Sequence, residues 1–244
     1  MKRTMDVSRL NAVANHPEVY PQLGVTGAVD LSGIAANPAN VVIENEHGGF
    51  VFWCLEPGRY EMHTMFLPEG RGRAALDAAA EALRYMFVET PAVEVVTKTA
   101  GSNPAAGLMA RKAGFSVAFE REGVWIDKTG LTYFSMTLDQ WIARDPVAPQ
   151  EGAAFHAMLE GAKRSCGSEL PIHPDDQAHD RVAGTASLMA RAGNARKAVA
   201  VYSRWARFAG YAPIELVSET PPIIDVRDAV IGVRGGQLEV LLCR

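Results

Sequence analysis

Apolar positions along the chain change period several times, and each change marks an element. Apolar runs at 40–44 and 49–55 flank Glu46-His47-Gly48, which predicts two strands joined by a tight turn. Pro57-Gly58-Arg59 predicts a second turn into a strand over 60–67, giving an antiparallel meander of three strands. The spacing then shifts to three and four residues at Leu76, Ala79, Leu83 and Met86, an alanine-rich helix over 73–87 that stops at Thr90-Pro91. Val93, Val95 and Val96 mark a buried strand running to Lys98. Asn103-Pro104 opens a further helix, asparagine as cap and proline in the first turn, and Gly114 closes it. Strands are predicted at 117–120, 124–126 and 131–137, the last two joined by Asp127-Lys128-Thr129-Gly130. Residues 1–40 are rich in turn formers around one short helix at 7–15.

A shift in composition divides the chain. Asp145-Pro146-Val147-Ala148-Pro149-Gln150 has the character of a proline-stiffened linker, and helices near 151–165, 174–192 and 195–209 follow. The end pairs 223–233 with 238–243 around Arg234-Gly235-Gly236-Gln237, a β-hairpin. The expectation is a mixed α/β (α+β) domain over 1–144, with about six or seven mostly antiparallel strands flanked by helices. A small helical unit ending in the hairpin covers 145–244 and is a possible docking or oligomerisation element.

Composition removes several classes of function. With 48% hydrophobic and 21% charged residues over 244 positions, the chain fits a globular protein with one full core and an appended unit. A net charge of −4 and the lack of a basic run argue against nucleic acid as partner. No apolar stretch approaches the roughly 18 residues of a membrane span, and Met1-Lys2-Arg3 is not followed by a signal core. Cys54, Cys166 and Cys243 share no metal-ligand spacing and fit buried thiols in a reducing, cytoplasmic setting. His173, His179, Asp175 and Asp176 match no strong ligand motif, so no metal is expected. Tyr202, Trp205 and Phe208 follow a helical spacing suited to packing or an interface and not to a cofactor box.

The chemistry lies between 60 and 115. The strand ends in Pro68-Glu69-Gly70-Arg71-Gly72-Arg73, a glycine-rich basic turn that opens a helix. Unpaired amides at the helix start favour an anion, Gly70 and Gly72 let the backbone approach it, and Arg71 and Arg73 supply charge.

The order of elements over 40–137 resembles the GNAT acyltransferase superfamily. Pro68 to Ala74 is similar to that family's Pro-x-x-Arg-Gly-x-Gly turn, and Asn103 to Gly114-Phe115 to its Asn-x-x-Ala … Gly-Phe segment. The resemblance implies acetyl-CoA held by Phe66, Leu67, Gly70, Arg71, Gly72, Arg73, Ala74 and Asn103, with amides near Phe66 and Leu67 meeting the thioester carbonyl. Asn103 serves equally as a helix cap. It also implies an amine acceptor, a small molecule or a protein, deprotonated by a base on the 60–67 strand. Glu61 and His63 alternate onto one face there and are the candidates, the alternative being a plain solvated face. Tyr133 and Glu120 are secondary candidates. The pattern departs at Ala74 and Leu76, where the family has glycines, and at Ala110, where it often has a tyrosine acid, so protonation of the leaving thiolate needs another group or water. No cysteine or serine sits in these motifs, which implies direct attack without an acyl-enzyme. The style of Asn15-His16-Pro17, His47-Gly48-Gly49-Phe50 and the 66–73 turn is also similar to GNAT-like proteins carried by tailed bacteriophages. That likeness implies the competing expectation: a non-catalytic virion or assembly component joined to itself or to virion proteins through residues 146–244.

Overall fold

The apolar runs at the start of the meander do form strands. Val41–Asn45 (β2) and Gly48–Glu56 (β3) pair antiparallel, with Asn45 opposite Gly48, and Arg59–Phe66 (β4) continues the meander. The structure, a computed structural model, describes residues 1–125, 127–144 and 178–210 in full, plus the backbone of 176–177 and of four strands within 215–241. It divides into two compact units. The first comprises Met1–Phe87 and Ala92–Leu138; the second comprises Val88–Pro91 and Asp139–Arg244.

The first unit is built on a seven-stranded sheet in the order β1-β2-β3-β4-β5-β7-β6. Its other strands are Lys2–Arg3 (β1), Glu94–Ala100 (β5), Ser116–Arg121 (β6) and Leu131–Thr137 (β7). Every pairing is antiparallel except β4 with β5. A mixed, mostly antiparallel sheet flanked by helices is therefore the observed fold class, and β2 through α4 follow the element order expected from sequence.

Alternation along the strands sends side chains to two faces. Val42, Val51 and Met65 pack with Leu10, Val13 and Ala14 of helix Ser8–Ala14 (α1), and with Ala35 of helix Ser32–Ala36 (α2). On the opposite face Ile43, Phe50, Phe52, Met62 and Phe66 are buried, and the Phe50 and Phe66 rings meet edge-on at 5.2 Å. Helix Arg73–Glu89 (α3) buries the stripe Ala75, Ala79, Ala82, Leu83 and Met86. Helix Pro104–Ala113 (α4) lays Arg111 over the Phe134 ring, 5.2 Å from its centroid.

Two expectations for the first unit need correction. Val124 and Trp125 form no strand; the Trp125 amide donates to Thr129 and the Lys128 amide to Trp125, a local turn, while Ile126 lies outside the described residues. β6 itself pairs with β7 across the whole 122–130 connection. Cys54 is half-buried, its thiol donating to the Glu56 carbonyl at 3.4 Å, because it sits near the outer end of β3. The linker at 145–150, the helix expected at 151–165, Cys166, His173, Asp175 and Cys243 lie outside the described residues.

In the second unit, helix Leu138–Arg144 (α5) buries Trp141 and Ile142. Helices Asp176–Arg191 (α6) and Ala195–Ala209 (α7) pack together through Val182, Ala183, Ala186 and Met189 on one and Ala198, Val199, Tyr202 and Ala206 on the other. Within this pair His179 is buried, its Nε2 3.1 Å from the Tyr202 hydroxyl, so it is a packed histidine. The expected terminal hairpin is larger than two strands: Glu215–Glu219 (β8), Pro222–Val226 (β9), Ala229–Arg234 (β10) and Gln237–Leu241 (β11) form an antiparallel sheet in the order β11-β10-β9-β8. The apolar run 223–233 divides between β9 and β10 because Arg227-Asp228 interrupts it.

Candidate functional site

β4 and β5 run parallel but pair only over Arg59–Glu61 and Glu94–Val96. One residue further on, the Thr97 hydroxyl donates to the Met62 carbonyl at 2.9 Å, a buried side-chain link where the backbone ladder has ended. Beyond it the two strands have no partner in each other. The Leu67 amide donates to His47 on the β3 side, so by strand alternation the amides of Thr64 and Phe66 face the gap. A parted strand edge is a place where an extended ligand can make strand-like hydrogen bonds.

Both strands end in helix starts at this opening. After β4, Pro68–Gly70 forms a 3-10 turn, and Gly72 enters α3 at φ +71°, a conformation suited to glycine, with open space around its absent side chain. Gly70 is buried against His47, where a Cβ would lie 2.4 Å from that of His47. Arg73 and Ala74 follow, exposed, in the first turn of α3, whose leading amides have no partner within the helix. After β5, Asn103 caps α4, its side-chain oxygen accepting from the Ala106 amide at 3.1 Å. The candidate cofactor residues Phe66, Gly70, Gly72, Ala74 and Asn103 thus belong to the elements that border one gap.

Others are already engaged. The Leu67 amide, expected as a donor to a thioester, is committed to His47. Arg71 donates through Nε to Phe66 O at 3.2 Å and through Nη2 to Glu18 O at 2.9 Å, which locks the turn. A guanidinium carries five N–H donors, so these two bonds fix its plane and leave donors over. Arg73 pairs with Asp77 one turn along α3 at 2.9 Å, on the exposed surface. The Asn103 amide nitrogen donates to Gln22 at 2.9 Å. The segment Glu18–Gly24 is therefore tied to both borders of the opening, and the Trp125 ring lies directly on Gly24.

Glu61 and His63 lie on the α1 side of β4, near the base of the gap. Lys98 of β5 joins them: its Nζ is 2.8 Å from Glu61 Oε1, and His63 Nε2 approaches the same oxygen at 3.2 Å. Glu61 is the most enclosed of the three, its side chain 14% exposed against 38% for His63 and 36% for Lys98. Neither approach is a well-aligned hydrogen bond, and the charge-bearing contact is the one from Lys98 to Glu61. Burial pushes the His63 imidazole below its ordinary value; Glu61 pulls it back up and the Lys98 charge lowers it again. His63 is thus a neutral imidazole near neutral pH, able to take a proton, beside a carboxylate that holds a primary ammonium.

Lys98 and Thr97 were not singled out from sequence as site residues, because the register of β4 against β5 is set by long-range packing and has no local signature. Tyr133 stands opposite Lys98 and stacks on Phe119 at 4.3 Å, with Arg121 over both rings. Glu120 accepts from Thr132 at 3.3 Å. Ala110 is buried in α4 and offers no acid. Among the described residues, no helix is long and apolar enough to cross a membrane, and no group of three His, Cys, Asp or Glu is placed to hold a metal.

No family model and no curated protein matches the chain. Solved structures do. Spermidine N-acetyltransferase from Vibrio cholerae, in complex with CoA and spermine, is 14% identical with a TM-score of 0.49, over 56% of this chain and 92% of that one. A probable GNAT-family acetyltransferase from Chromobacterium violaceum is 19% identical with a TM-score of 0.47, over 57% and 83%. A GNAT-family acetyltransferase from Bacillus anthracis is 17% identical with a TM-score of 0.45, over 57% and 93%. At such identities and scores these are likenesses, and the chemistry of the site is carried by its own residues.

Proposed function

We propose that the protein is an N-acyltransferase that binds acetyl-CoA in the gap between β4 and β5 and transfers the acetyl group directly to a primary amine. The observation that carries this reading is the parting of the two strands after Glu61 and Val96, with helix starts at both ends and a proton-accepting cluster at its base. Amides of the parted strand suit the amide-rich arm of CoA, and the start of α3 suits its pyrophosphate. His63 or Glu61 removes the ammonium proton, the amine attacks the thioester carbon, and the gap-facing amides of Thr64 and Phe66 are placed to stabilise the oxyanion. The attacking nitrogen gives its second proton to solvent as the amide forms, and the thiolate leaves and takes a proton from water, since Ala110 supplies none.

Calorimetry with acetyl-CoA tests the binding, paired with Ala74→Glu. An acidic residue in the first turn favours the helix but repels phosphate, so the variant keeps its melting temperature and binds about tenfold more weakly or worse. Absence of wild-type binding refutes the reading. Thiol release over a panel of primary amines, spermine and a lysine peptide included, tests turnover.

A second reading, a non-catalytic assembly component, draws on Ala110 and on Lys98 occupying the candidate base. It expects no turnover with any amine and a defined oligomer or partner complex, read by light scattering, that is lost when residues 146–244 are removed.

A further inference from the structure

Lys98 stands out in the site because it already satisfies what the reaction asks of an acceptor. It is a primary amine, partly exposed, with its nitrogen 2.8 Å from the candidate base Glu61. It lies two residues past Val96, the last β5 residue paired with β4, so it hangs across the base of the gap opposite His63. Its stem reaches from β5 to β4, and Glu61 holds its ammonium at the base of the gap. The other described lysines that are exposed, Lys2, Lys112 and Lys128, are on β1, on the last turn of α4 and in the 122–130 connection, away from this cluster.

We infer that Lys98 is an internal acyl acceptor and that the protein acetylates itself at this residue; the inference rests on the proposed acetyl-CoA site. The ammonium gives one proton to Glu61 Oε1, 2.8 Å away, and the freed lone pair attacks the thioester carbonyl. The C–S bond breaks with its electron pair on sulfur, and the nitrogen loses a second proton as the amide forms. The products are Nζ-acetyl-lysine, CoA thiol and one proton released to solvent. Modification removes the positive charge from Glu61, so the ion pair between β4 and β5 is present only in the unmodified protein.

The test is incubation of the full chain with acetyl-CoA, followed by intact mass and peptide mapping. One added acetyl group is expected, on Lys98, in at least tenfold preference over Lys112 and Lys128. Lys98→Arg abolishes it and Glu61→Gln slows it about tenfold or more. Acetyl phosphate, a donor without the CoA moiety, labels the exposed lysines with no preference for Lys98. Acetyl-CoA binding by calorimetry without Lys98 acetylation overturns the inference and leaves the proposed function standing. Failure of acetyl-CoA to bind at all overturns both. Equal labelling of Lys98 and Lys112 by acetyl-CoA marks plain chemical reactivity and also overturns the inference.

Discussion

Burial holds the His63 imidazole below its ordinary value, Glu61 opposes the shift, and Lys98 adds to it. If His63 is the base, kcat/KM is level through neutral pH and falls on the acid side, with a midpoint below 6.5. Lys98→Met removes one of the lowering charges, so that acid limb moves to higher pH. A pH–rate profile of both proteins reads this, and an unmoved limb in the variant shows that another group is the base. The same shift enters stability. The unfolded chain binds the proton at about 6.5 while the folded one resists it, so stability is present above that value and is lost as pH falls from there through the lower folded value. His63→Gln flattens this acid-side loss in urea unfolding, whatever the outcome of the kinetic test.

Asn103 joins two roles that substitution can separate. Its oxygen caps α4 through Ala106 N and its nitrogen reaches Gln22. Asn103→Ala loses the cap, about 1 kcal/mol, and lowers the melting temperature by about 2–4 °C. Asn103→Asp keeps the cap acceptor and recovers most of that stability, although the donor to Gln22 is gone. Gly24→Val tests the neighbouring strap: a Cβ there would stand 2.1 Å from Trp125 and the backbone is at φ +65°, so displacement of the ring and backbone strain together cost about 1–3 kcal/mol or more, measured by denaturant unfolding. These elements also show what the sequence could carry. The β2–β4 meander, α3 and α4 were legible because a turn, a cap or a 3.6 period within a few residues specifies each. The two-residue β1 was too short to have a period, and Val124 and Trp125 had strand composition without strand pairing. Glu61 and His63 were legible by alternation within one strand. Their partner Lys98 was not, because it arrives from β5 through a register that no local pattern encodes. The same holds for the ties from Arg71 to Glu18 and from Asn103 to Gln22, which span long stretches of chain.

The two units carry buried titratable groups that respond to alkali in opposite directions. In the first, burial raises the Tyr60 phenol above its ordinary 10, with the nearby Cys54 adding to the shift. The unfolded chain ionises before the folded one, so this contribution is present below pH 10 and is lost as pH rises through the folded value. In the second unit, burial pushes Lys197 down to about 8 from 10.5, while its Nζ donates to the Thr90 carbonyl at 2.8 Å. Here the unfolded chain keeps a proton that the folded one releases, so stability rises with pH between about 8 and 10.5. Neither unit's response can be read from the net charge of −4, because both depend on where single groups are buried. Peptide-resolved hydrogen exchange, corrected for the intrinsic pH dependence of exchange, reads each unit separately across this range. From pH 8 to 10, protection is expected to rise in α6 and α7. Lys197→Met removes the group that titrates, so the gain in α6 and α7 disappears in the variant while β3 and β4 behave as in the wild type. Equal slopes for α6 and α7 in wild type and variant would show that Lys197 keeps its proton throughout.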